Sequence, residues 1–375
     1  MERAQAHISS HGLDDNITIR LADGLCGIQK DDVDTVTICG MGGKLMKDII
    51  EAGKDRLSNG MQLILSPQSE VREFRAYLLE NGIDILSEMM IKDEGKYYFI
   101  MDCVYHDMAE TTHRMAQAGL EKRPFMVRFA ESRAGKEEIL ASLSAQGVTA
   151  EETATGSGVY RLTGVDYPES LDALREGLIR IQDLSSSLAG DAAGIKEGDF
   201  VLDVCGAPGG KGLHAADLLY GTGQVEIRDV SDYKVSLIKE NIACSGCTNV
   251  SACAWNACEF DASMEQKADV VIADLPCSGL GIIGRKPDIK YHTDIEKIEQ
   301  LASLQREILT VVQEYVKPGG TLVYSTCTIS RPENEENAAW FEKNFPFVRE
   351  GSAKQLLPGI DGTDGFFMVK FRKKL

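Results

Sequence analysis

An apolar run over residues 200–204 leads without interruption into Cys205-Gly206-Ala207-Pro208-Gly209-Gly210-Lys211, and a helical pattern follows to about Leu219. A strand that hands a glycine-rich loop to a helix start leaves few architectures open. The glycines let a ligand approach the backbone closely, and the helix start turns free N–H groups toward it. Alone, such a loop is weak evidence of binding. Here a second strand, residues 224–228, ends at Asp229, twenty residues beyond Gly209. An acid at that place accepts hydrogen bonds from both ribose hydroxyls of a nucleoside cofactor. A solvated strand-end aspartate is the competing reading, and the pairing of loop with acid favours the cofactor.

Three further strands extend the pattern. Residues 250–254 lead to Asn256, residues 268–273 to Asp274-Leu275-Pro276-Cys277-Ser278-Gly279, and residues 321–324 to Ser325-Thr326-Cys327-Thr328. In an open parallel sheet, ligands bind beyond the carboxyl ends of the strands. Asp274, Cys277 and Cys327 are therefore expected on the same face as the glycine-rich loop. A single cysteine is by default a small buried hydrophobe. Two thiols beside one cofactor pocket point instead to chemistry. Carbon 5 of cytosine is too weak a nucleophile to attack a methyl donor directly, whereas a thiolate adding at carbon 6 activates it. A second group that assists release would account for the second cysteine.

The stretches VLDVCGAPGGKGLHAADLL, ADLPCSGLGIIGRKPDIKY, YSTCTISRPENEEN and the terminal DGFFMVKF occur in this order. Together they resemble the RsmB/NOP family of RNA cytosine-C5 methyltransferases, most closely the bacterial small-subunit rRNA type (Sun or Fmu), over about residues 120–375. The resemblance implies an α/β chain with a Rossmann-like S-adenosylmethionine-dependent methyltransferase domain on a seven-stranded mixed sheet. A small βαβ RNA-contacting module precedes it. The implied cofactor is S-adenosyl-L-methionine, the implied partner small-subunit rRNA and the implied product 5-methylcytosine. Cys327 is the implied nucleophile and Cys277 the residue aiding release. Cys205 to Lys211, Asp229 and Asp274 line the implied cofactor site, with Lys211 and Asp274 near the target base. Asn256 stands where the family usually has an aspartate facing the adenine. It keeps an acceptor and adds a donor, so weaker rather than absent cofactor binding is expected. The family's N-terminal helical RNA-binding domain has no counterpart.

The first third reads as strands at residues 16–20, 35–39, 62–66 and 97–104, with helices at 44–52 and 70–81. Alternation of this kind implies parallel βαβ units. Residues 1–15 read as a helix tail and a turn at His11-Gly12, with no glycine-rich loop. Gly40-Met41-Gly42-Gly43 lacks P-loop spacing and reads as a tight strand-to-helix turn. IRLADGL, VTICGMGGKLMKDII, LILSPQ and GKYYFI resemble the middle and end of the TrmK-like tRNA adenine-N1 methyltransferases. The resemblance begins after that family's first two strands, which implies an incomplete α/β methyltransferase-like fragment.

The expected organisation is a fragment over 1–115, a linker and small α/β module over 116–183, and a catalytic domain over 184–375. The linker is residues 107–122. The module is a strand at 125–129, a helix at 136–145, and strands at 159–162 and 178–182. With 58 acids against 40 bases the chain carries a charge of -18, which argues against whole-surface nucleic-acid binding but permits a basic cleft. The run from Gly284 to Lys290 either holds RNA phosphates or is a solvated loop. No stretch is apolar enough for a membrane span, the N-terminus lacks a secretory pattern, and ten cysteines suit reduced thiols, so a cytosolic location is expected. Cys244, Cys247, Cys253 and Cys258 invite a zinc reading, but they fall on a helix end and a strand, and no metal is expected. His214 reads as a packed or solvated side chain. Two other functions stay open: an RNA-binding or assembly protein without turnover, and tRNA adenine methylation by the N-terminal fragment.

Overall fold

Apolar runs bounded by glycine and polar turns become strands, and amphipathic stretches between them become helices. The computed structural model describes residues 2–93, 95–120, 124–153 and 158–375. It divides into two units, Met1–His113 and Arg114–Leu375, each with its own core.

The first unit runs α1 (Glu2–Ser10), β1 (Thr35–Met41), α2 (Gly43–Ala52), β2 (Gln62–Pro67), α3 (Val71–Glu80), β3 (Ile83–Asp93) and β4 (Lys96–Tyr105). Met46, Ile50, Leu63, Leu65, Phe74, Leu78 and Met101 build its core. The sheet order is β1-β2-β4-β3, and only β1 and β2 pair in parallel. Two expectations fail here. Residues 16–20 are not a strand: a strand needs a neighbour for its backbone groups, and the sheet ends at β1. Strand β3 was not foreseen, because its apolar residues Leu86, Met89, Met90 and Ile91 are exposed and follow no alternation. It converts the expected parallel unit into an antiparallel hairpin with β4.

The stretch read as a linker contains α4 (Met108–Ala118), whose Thr111 and Ala118 are buried and whose Arg114 guanidinium donates to the Gly359 carbonyl. Residues 121–122 of that stretch lie outside the described residues. The small module then folds as β5 (Phe125–Phe129), α5 (Lys136–Ala145), β6 (Thr149–Glu152), β7 (Val159–Thr163), α6 (Asp172–Arg175) and β8 (Ile179–Ile181). Its order is β6-β7-β5-β8, antiparallel throughout, with the polar strand β6 unforeseen. Asp217 ties this module to the catalytic sheet, accepting from Arg180 of β8 and from the Ser132 hydroxyl (2.8 Å).

The catalytic part comprises α7 (Leu184–Ala192), β9 (Phe200–Asp203), α8 (Gly210–Leu218), β10 (Gln224–Asp229), α9 (Asp232–Ser245), β11 (Val250–Ala254), β12 (Ala268–Asp274), α10 (Ile289–His292), α11 (Ile295–Val312), β13 (Val316–Thr326), α12 (Glu335–Asn344), β14 (Phe347–Arg349), β15 (Lys354–Leu356) and β16 (Phe366–Lys373). Seven strands lie on one path, β11-β10-β9-β12-β13-β16-β14, and short β15 pairs with β16 as an eighth. Strands β9 to β13 are parallel, and β16 is antiparallel to β13. Helices cover both faces, so the central strands are buried on both sides and read as unbroken apolar runs such as Val270–Ala273.

Candidate active site

Register explains why distant residues meet. Asp274 pairs with Ser325 across β12 and β13, so the loops bearing Cys277 and Cys327 leave the sheet at one level. Their sulfurs lie 3.4 Å apart. Lys211, in the first turn of α8, donates to Asp274 Oδ2 (2.6 Å), and the Ser325 hydroxyl donates to Asp274 Oδ1 (2.8 Å). The Lys211 ammonium also lies 5.3 Å from the Phe366 ring centre. A cleft of about 220 Å³ opens beside them, lined by Cys205, Gly206, Ala207, Pro208, Gly210, Lys211 and Asp274, with Asp183 and Gln182 on its far wall.

The electrostatics of the thiols differ. The hydrogen bond shared with Cys277 holds the Cys327 thiol below its usual range; burial and the Asp274 carboxylate oppose this, and the Lys211 ammonium adds to it. The same bond, reinforced by burial, pushes the Cys277 thiol well up. Burial disfavours charge on Lys211, but the adjoining Asp274 outweighs it and the ammonium is retained. The two sulfurs thus lie near one buried cation.

The remaining residues shape the loop. A side chain at Gly206 would collide with Ile227 and with the Asp203 carboxylate, and Gly209 holds φ at 112°, so both positions require glycine. Asp229 is buried. It accepts from the Ala207 N–H (3.2 Å), the Val230 N–H (2.8 Å) and Lys234 (3.1 Å), which leaves lone pairs for further donors. Asn256 follows Trp255, whose N–H donates to the Asp229 carbonyl; its side chain bonds Glu259 (3.1 Å) and the Cys258 N–H (3.1 Å).

Sequence reasoning missed Asp203. It is fully buried at the end of β9, its carboxylate has no side-chain hydrogen-bond partner, and burial pushes its pKa up to about 7. The strand-end position within VLDVCGAPGG was the available signal. The basic run divides by pairing: Arg285, Lys286 and Lys290 are all exposed, but Arg285 is ion-paired with Asp183 (2.8 Å) and Asp364. His214 is buried near Asp191, its pKa driven down to about 4 by desolvation. At the Gly40–Gly43 turn the Gly43 N–H bonds the Ser69 carbonyl and the Lys44 N–H bonds Glu70 Oε2 (3.0 Å), so these helix-start donors are already used. Among the described residues, no group of three His, Cys, Asp or Glu is placed to hold a metal, and no helix is long and apolar enough to cross a membrane.

Strand order, glycine-rich loop and cleft define a Rossmann-like methyltransferase of the class that uses S-adenosylmethionine. Residues 193–372 match the family described as 16S rRNA methyltransferase RsmB/F, and residues 1–150 the family described as tRNA (adenine(22)-N(1))-methyltransferase. The chain is 36% identical over 272 residues to the probable ribosomal RNA small subunit methyltransferase B of Bacillus subtilis (strain 168), covering 66% of this chain and 59% of that protein. It is 29% identical over 296 residues to the ribosomal RNA small subunit methyltransferase B of Proteus mirabilis (strain HI4320), covering 78% and 69%. A solved methyltransferase homolog protein from Pyrococcus horikoshii is 27% identical, with a TM-score of 0.64 over 71% of this chain and 92% of that one. Both resemblances read in the sequence are thereby borne out.

Proposed function

We propose that the chain methylates carbon 5 of a cytosine in small-subunit rRNA, with Cys327 as covalent nucleophile and Cys277 as the group assisting release. The observation that carries this reading is the 3.4 Å thiol pair near Lys211 and Asp274, two residues that line the cleft. The cleft fits a nucleoside cofactor: glycine is obligatory where the loop crosses Asp203, and Asp229 keeps acceptor capacity beneath it. Bound S-adenosylmethionine would supply an electrophilic methyl group.

The chain's own residues account for the rest. Cys327, biased toward thiolate, bonds to carbon 6, and the π pair of the carbon 5–carbon 6 double bond shifts to carbon 5, which becomes nucleophilic. Asp274 presents an acceptor to the base and Lys211 a cation within reach of the charge that develops on it. Once carbon 5 has been methylated, its proton passes to water, the C–H pair restores the carbon 5–carbon 6 double bond, and Cys327 departs with the C–S pair as a thiolate. Cys277 is in contact with the sulfur that must depart. Exposed Lys286, on the loop after Cys277, and Lys290, on α10, are suited to phosphate contacts.

The deciding experiment incubates the protein with unmodified small-subunit rRNA and labelled S-adenosylmethionine, then analyses the nucleosides. Label in 5-methylcytosine is expected, and label in 1-methyladenosine overturns the reading. Asp229→Ala is expected to weaken S-adenosylmethionine binding by about 1–3 kcal/mol, the cost of removing a charged acceptor. An unchanged dissociation constant by calorimetry would place the ribose elsewhere. A chain beginning at Asp107, which keeps the Arg114 and Ala118 contacts to Gly359, is expected to bind the cofactor within a few-fold of the full chain. Loss of binding in a truncation with an intact circular dichroism spectrum would show that the first unit contributes to the site.

A further inference from the structure

Cys277 and Cys327 arrive on loops from two different strands, yet their sulfurs meet. The residues on either side of each are tied to one buried framework just before α12. Glu333 is fully buried, and its carboxylate accepts from the Ser278 N–H (2.8 Å) and the Ser278 hydroxyl (2.6 Å). Ser278 Oγ lies 2.7 Å from Thr328 Oγ1, so the bonding continues from Glu333 through Ser278 to the residue after Cys327. Asn334 takes both flanks of Cys327. The Thr326 hydroxyl donates to its Oδ1 (2.5 Å), and its own amide donates to the Thr328 carbonyl (3.0 Å). Gln305 of α11 closes the frame, donating to the Pro276 carbonyl (2.9 Å) and to Glu333 Oε1 (3.3 Å).

Burying a carboxylate among these neutral donors costs solvation free energy that an apolar filler would not incur. A carboxylate, however, only accepts, and with two oxygens it can take donors from several directions at once. An amide in its place could keep its oxygen toward the Ser278 N–H and the Gln305 amide, but its NH2 would then face Ser278 Oγ, which would have to accept where it now donates. We infer that Glu333 is a positioning residue that, acting through Ser278 and together with Asn334, holds the two thiols at bonding distance. Its importance for turnover rests on the reading of the two cysteines given above.

The test uses the full chain with Glu333→Gln and Ser278→Ala. Each protein is equilibrated, without RNA, in mixtures of reduced and oxidised glutathione. When Cys277 and Cys327 join, oxidised glutathione takes their two electrons and two protons and becomes two reduced molecules. The bridged fraction, read by mass spectrometry of the linked peptides, gives the effective concentration of one thiol at the other. Both variants are expected to lower it tenfold or more. Their S-adenosylmethionine dissociation constants should stay within twofold, and kcat should fall with KM for RNA unchanged. An effective concentration within twofold of the parent, in a variant that binds cofactor normally, overturns the inference. Should Glu333→Gln fail to fold, Ser278→Ala, which removes one hydroxyl and no charge, decides alone. Absence of 5-methylcytosine from the parent reaction would overturn the functional reading, while the RNA-free thiol measurement still decides the positioning role.

Discussion

Cys327→Ala is expected to lower methylation by at least about a thousandfold and to form no covalent RNA adduct, because without addition at carbon 6 no activated carbon 5 arises. Cys277→Ala is expected to behave differently: it adds and methylates, then stalls before elimination. The stalled species is a protein–RNA conjugate that survives denaturing electrophoresis and disappears after ribonuclease. The two sulfurs lie side by side at 3.4 Å, so distance alone does not assign the roles. The resemblance of YSTCTISRPENEEN to the family's motif supports the assignment of Cys327 as nucleophile, with Cys277 its hydrogen-bonded partner. A stable conjugate from Cys327→Ala with none from Cys277→Ala would reverse the roles. No conjugate from either would remove the support for Cys277 as the releasing group.

Asp203→Asn is expected to stabilise the protein at pH 8 and to be nearly neutral at pH 4. The parent carboxyl titrates near its ordinary value when unfolded and at about 7 when folded, because burial penalises its charge. Between those values the folded state binds the extra proton, so stability is fully present below about pH 4 and is lost as pH rises toward 7. At 1.36 kcal/mol per pH unit, the loss from this one group is about 4 kcal/mol. The amide cannot ionise, and urea unfolding of the variant should lack that part of the pH slope. Equal destabilisation of the variant at pH 5 and pH 8 would show that the Asp203 charge is compensated in the fold. Cofactor affinity measured alongside would then separate stability from binding, since Asp203 lines the cleft.

Much of the fold was legible where local pattern and tertiary demand agree. The central strands at 200–203 and 268–274 are mostly apolar because both faces of a parallel sheet are covered, and that burial writes itself into consecutive residues. Legibility failed where the deciding partner is remote. Residues 16–20 have strand-like composition but no neighbouring strand, and β3 pairs with β4 while leaving Leu86, Met89 and Met90 exposed. The stretch from 107 to 122 is polar enough for a linker, yet Thr111 and Ala118 bury themselves and make helix α4.

The candidate site divides along the same line. The residue types and their spacing, from Cys205 to Lys211, then Asp229, Asp274, Cys277 and Cys327, follow from sequence alone, because strand ends in an open parallel sheet must point to one edge. Only the tertiary structure decided the rest. Cys277 and Cys327, fifty residues apart, share one hydrogen bond because Asp274 and Ser325 are in register. Arg285, read as a candidate RNA contact, is ion-paired with Asp183 and Asp364. Asp203 and Glu333 become buried carboxylates through packing that no neighbouring residue announces. Local pattern records how each segment meets the core, whereas distances between side chains on separate segments are set by how those segments pack, and the chemistry of this site depends on those distances.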